Sequence, residues 1–103
     1  VTEANLDKML ALLTGRGIPV LLAGMLAPPN LGDEYGRAFA GAYTRLAAKY
    51  SVPLYPFFLD GVAAQSPLLQ NDGMHPNARG VDVIVDRIAP YVRWALKVGP
   101  PPA

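Results

Sequence analysis

Apolar residues recur along this chain with two different spacings, and the changes between them sketch its elements. Over residues 2–14, Leu6, Met9, Leu10 and Leu13 fall at the i, i+3, i+4, i+7 positions of one helical face. Thr2 is placed to cap this helix, and Gly15 and Gly17 to end it. Ile18 to Met25 is continuously apolar and short, which predicts a strand buried on both faces of a parallel sheet. A second helix is predicted from Gly32 or Asp33 to about Tyr50. Its stripe of Tyr35, Phe39, Tyr43, Leu46 and Tyr50 reads as core. Val52 to Phe58 predicts a second strand, at a sheet edge, because Pro53 and Pro56 have no amide proton to give a neighbour. Residues 59–70 hold a weak helical piece at Gly61–Gln65 and a Ser66-Pro67 turn. From Asn77 to Lys97 a third helix presents Val81, Ile84, Ile88, Tyr91, Val92 and Ala95 on one face. Pro90 predicts a kink or break near Ala89, and Trp94 reads as packing.

Helices alternating with two strands describe an α/β architecture with a parallel sheet. With the second strand outermost, the strand at 18–25 lies one place inward and needs a neighbour on its other flank. The chain offers no third strand, and two parallel strands alone make a poor sheet. An N-terminal half, or a second copy of the chain, is expected to complete it. At 103 residues there is room for one small domain, without internal repeat or linker; residues 1–97 form it and 98–103 are expected to be a disordered tail.

Composition narrows the function classes. A hydrophobic fraction of 51% with 17% charged residues is that of a globular protein. A net charge of +1 without a basic cluster argues against nucleic acid and against electrostatic membrane binding. No apolar run approaches the ~20 residues of a membrane span. The absence of cysteine excludes a disulfide framework and a thiolate metal site, and a single histidine argues against a histidine-rich zinc centre. No cofactor and no metal are expected. No signal peptide is visible, and a start at Val1 is the expected mark of processing, trimming or cutting.

The candidate chemistry lies in Asn71-Asp72-Gly73-Met74-His75-Pro76-Asn77. Histidine can shuttle protons near neutral pH but needs a partner to fix its tautomer and orientation. Asp72 reaches that role if the segment turns tightly, and Gly73 permits the turn. Pro76 biases His75 towards an extended conformation at a loop end, and Asn77 is placed to cap the following helix. The plainer reading makes Asp-Gly a turn, Pro-Asn a helix start and the histidine incidental. A second candidate is the loop at 26–33, which follows the carboxyl end of a strand, where open α/β sheets bind ligands. Met25, Leu26, Pro28, Pro29 and Leu31 would line it; alternatively it is an ordinary strand-to-helix connection.

Five blocks occur in an order that resembles the SGNH (GDSL) hydrolases, closest to their thioesterase-I/arylesterase branch. They are Val20-Leu21-Leu22-Ala23-Gly24-Met25, Pro28-Pro29-Asn30-Leu31-Gly32, the stretch Tyr35 to Tyr50, Val52-Pro53-Leu54-Tyr55-Pro56-Phe57-Phe58, and Asp72-Gly73-Met74-His75-Pro76-Asn77. The resemblance covers most of residues 1–95 and implies a flavodoxin-like three-layer sandwich, of which this chain supplies about two strands and three helices. It also implies catalytic roles for Asp72 and His75 in hydrolysing a small-molecule acyl ester through an acyl-enzyme. The loop at 26–33 would border the acyl-binding groove, and export to the periplasm would be expected. One departure matters. The blocks carrying the nucleophilic serine and the oxyanion-hole glycine and asparagine precede anything present here, so the chain looks like the C-terminal half of such an enzyme. Ser51 and Ser66 lie outside any Gly-Asp-Ser context and do not fit the nucleophile's exposed elbow. The alternative is a non-catalytic α/β fragment or interaction module.

Overall fold

A computed structural model describes residues 2–27 and 29–102; Val1, Pro28 and Ala103 lie outside the described residues, as do the side chains of Thr2 and Pro29, and with them the expected Thr2 cap. Three helices, α1 (Thr2–Gly15), α2 (Asp33–Tyr50) and α3 (Ala78–Ala95), surround two short parallel strands, β1 (Leu22–Ala23) and β2 (Leu54–Tyr55). Two 3-10 turns, Pro29–Leu31 and Ser66–Leu68, lie in the connections. The segment at 61–65 forms turns and not the weak helix expected there.

Alternation along β2 separates the layers, because neighbouring strand residues face opposite sides. Leu54 packs into a cluster built on Leu10 of α1, Leu22 of β1, and Leu46 and Ala47 of α2. Its neighbour Tyr55 turns the other way, against Tyr91 of α3, with ring centroids 4.8 Å apart and planes at 60°. The result is a helix pair, a sheet and a third helix in three layers. Salt bridges Arg45–Glu3 (3.0 Å) and Lys49–Asp7 (2.9 Å) tie α2 to α1, and Tyr50 Oη also donates to Asp7.

The ladder runs through Leu22 N–H to Pro53 O at 2.9 Å and Gly24 N–H to Tyr55 O at 2.8 Å. Leu21, Ala23 and Met25 therefore aim their backbone groups at the far edge of β1, where the sheet has no further strand among the described residues. On the outer edge of β2, Pro56 removes the donor that would follow Leu54.

Several apolar positions are less covered than their spacing predicts. Met9, Ile18, Tyr35, Val81 and Val92 are exposed, along with Leu12 and Val85. The strand expected over Ile18–Met25 shrinks to its middle, and the one over Val52–Phe58 to two residues. Pro90 is accommodated inside a continuous α3, so the break expected near Ala89 does not occur. Past α3, Val98 N–H donates back to Arg93 O at 2.9 Å.

Candidate functional site

Between the 3-10 turn Ser66–Leu68 and α3 the chain makes a narrow hairpin. Leu69 and Pro76 form an antiparallel bridge at its foot, and Gln70 N–H donates to His75 O at 2.7 Å. Gly73 N–H donates to Gln70 O at 3.0 Å, closing the tip, and Gly73 takes a positive φ of 68° that only glycine adopts without cost. The tip holds Asp72 and one arm holds His75.

Asp72 divides its carboxylate between backbone and ring. Oδ1 accepts the Met74 N–H at 2.9 Å and the His75 N–H at 3.0 Å, the Asx-turn arrangement that a short acidic side chain favours. Oδ2 lies 2.5 Å from His75 Nδ1. The hydrogen bond from the ring, reinforced by the two backbone donors, holds the Asp72 carboxyl far below the ordinary carboxylate range. An ionised carboxylate can only accept, so Nδ1 carries the proton and donates it, leaving Nε2 as the basic nitrogen. Side-chain exposure is 67% for His75 and 42% for Asp72, which leaves the ring open to an incoming group.

Leu26 lines a shallow groove with Ala27, Gly32, Gly36 and Arg37, at the start of α2, and neither Asp72 nor His75 borders it. Met25 is half-buried and does not line that groove; Leu31 is exposed at the end of the 3-10 turn. Pro28 lies outside the described residues, and of Pro29 only the backbone is described. Ser51 sits past the end of α2 and Ser66 opens a 3-10 turn, neither on a strand-to-helix elbow. No group of three or more His, Cys, Asp or Glu able to hold a metal ion occurs among the described residues. No described helix is long and apolar enough to cross a membrane.

The Asn77 cap expected from the sequence is present, its Oδ1 accepting from Gly80 N–H at 2.9 Å. What sequence reasoning missed is the other end of that side chain. Its nitrogen donates to Pro67 O at 2.9 Å and Leu69 O at 3.2 Å, contacts eight and ten positions away that no local spacing encodes. Gln70 was also missed; its Nε2 donates to Pro76 O at 3.1 Å, across the hairpin foot.

No family model matches the chain. It is 34% identical over 94 residues to "Esterase TesA" of Pseudomonas aeruginosa, covering 91% of this chain and 47% of that protein. To "Thioesterase 1/protease 1/lysophospholipase L1" of Escherichia coli K12 it is 35% identical over 88 residues, 85% of this chain and 42% of the relative. Among solved structures it superposes on AlinE4, "a SGNH-hydrolase family esterase", with a TM-score of 0.65 and 48% identity, over 98% of this chain and 51% of that one. The chain thus spans about half the length of the relatives it matches.

Proposed function

From the similarity of nearly the whole chain to SGNH-hydrolase family esterases, we propose that it is the base-carrying C-terminal half of a serine hydrolase acting on carboxylic esters. The observation that carries this reading is the 2.5 Å contact between Asp72 Oδ2 and an otherwise exposed His75 ring. His75 Nε2 removes the proton from a seryl hydroxyl brought by the part of the fold outside these residues. The seryl oxygen attacks the ester carbonyl, and the resulting imidazolium is stabilised by Asp72 at Nδ1. Return of that proton to the leaving group expels the alcohol and leaves an acyl-enzyme. A water molecule, deprotonated in the same way, then releases the acid. Acyl thioesters and lysophospholipids undergo the same steps with a different leaving group. Leu26, with Met25, Pro28, Pro29 and Leu31 in the same loop, supplies the apolar side of the acyl site. That other part of the fold also gives β1 its second neighbour.

A fluorophosphonate probe and a p-nitrophenyl ester test this with the chain mixed with a polypeptide matching the relatives' other half. Labelling is expected on the companion, with hydrolysis abolished by His75→Ala. Absence of turnover in every such mixture would leave the non-catalytic module as the surviving reading.

A further inference from the structure

Capping a helix needs one acceptor, and Asn77 supplies it through Oδ1. The rest of the residue is engaged elsewhere. Nδ2 donates to Pro67 O and Leu69 O, and the Asn77 backbone N–H donates to Leu68 O at 2.9 Å. Three successive carbonyls, those of Pro67, Leu68 and Leu69, are thus held by one residue. The opposite amide orientation would set Nδ2 against an N–H and Oδ1 against two carbonyls, so the bonding pattern allows only this one. Leu69 stands at the foot of the hairpin arm that leads to Asp72, and Pro76, beside Asn77, at the foot of the arm that carries His75. Gly80 packs so closely beneath Leu68 that a Cβ there would collide with its carbonyl oxygen, which leaves the foot no slack.

We propose that Asn77 is a positioning residue for the Asp72–His75 pair, clamping both feet of the hairpin to each other and to the start of α3. The role presupposes that His75 is the general base. Aspartate separates clamp from cap: it has nearly the same shape and caps equally well, but it has no N–H and would face two carbonyl oxygens with a carboxylate.

The test is Asn77→Asp in the full chain, read by ¹⁵N–¹H correlation spectra of the His75 ring and by hydrolysis with the companion half present. The clamp predicts that the variant keeps its helical circular dichroism while the Nδ1–H tautomer falls towards the mixture of a free imidazole. It also predicts a kcat loss of about 10²-fold at unchanged KM, the scale expected for a ~1 Å misplacement. A native ring spectrum and native kcat in that variant would overturn the positioning role and leave the general-base reading standing. Full activity in His75→Ala would instead remove the general-base reading itself. If Asn77→Asp does not fold, the native chain decides: the Asn77 Nδ2 protons are expected to resist solvent exchange alongside the Gly80 amide, and exchange as fast as in free asparagine refutes the clamp.

Discussion

Asp72 does two jobs with two oxygens, and this makes them separable. An asparagine at 72 keeps Oδ1, so it can still accept from Met74 and His75 N–H and hold the turn. In place of Oδ2 it offers an N–H₂, which cannot accept from Nδ1. Asp72→Asn is therefore expected to leave the Met74 and His75 amide shifts in place while hydrolysis with the companion half falls ~10²–10⁴-fold, the range of general-base catalysis. Acid acts on both oxygens together. The bonds from the His75 ring and the two backbone amides depress the Asp72 carboxyl, so its stabilising effect is complete above the ordinary carboxylate range and is lost only as pH falls through the depressed value. The Met74 and His75 amides are expected to keep their bonds to Asp72 through pH 4 and to lose them only well below it; a transition of those amide shifts centred near 4 would contradict this. This part of the site was legible in the sequence because every contact spans at most three residues. The Asn77 donors were not, since Pro67 and Leu69 reach them only once the hairpin has folded.

All three helices terminate in the same way. Ile18 N–H reaches Leu13 O at 3.1 Å, Val52 N–H reaches Ala47 O at 3.0 Å, and Val98 N–H reaches Arg93 O at 2.9 Å, the six-to-one bond of a Schellman motif. The residue in the left-handed conformation is Gly17 in the first, but Ser51 and Lys97 in the others. A side chain there strains against the following carbonyl, so Ser51→Gly is expected to stabilise the chain by about 0.5–1 kcal/mol in urea titrations. The helices themselves were readable: α2 begins and ends where its stripe and flanking Gly32 predicted, and α3 begins where Asn77 predicted but ends at Ala95, two residues short of Lys97. Strand length was not. A run such as Ile18–Met25 marks apolar side chains, whereas a strand exists only where a neighbour bonds the backbone, here at Leu22 and Ala23. Pro90 misled in another way, because losing one bond did not outweigh the packing of Tyr91 on Tyr55 and the burial of Ile84 in the same helix.

At the scale of the whole chain, surface and shape both exceed those of a closed domain. The accessible surface is 6993 Å², against about 5,600 Å² for a compact monomer of this size. The radius of gyration is 14.8 Å, where about 13 Å is ordinary for such a length. Apolar side chains of α1 (Met9, Leu12) and α3 (Val81, Val85, Val92) remain exposed, and β1 has no second neighbour among the described residues. Such surface binds anilinonaphthalene sulfonate, and the dye's fluorescence is expected to fall as the companion half is titrated in, reaching a plateau at one equivalent. Fluorescence that stays flat through the titration would show that the other half does not cover these side chains. The two edges of the sheet also differ in kind. A strand laid against the outer rim of β2 would meet Pro56 where it needs a donor, so that margin gives amyloid-like growth no continuous ladder to extend.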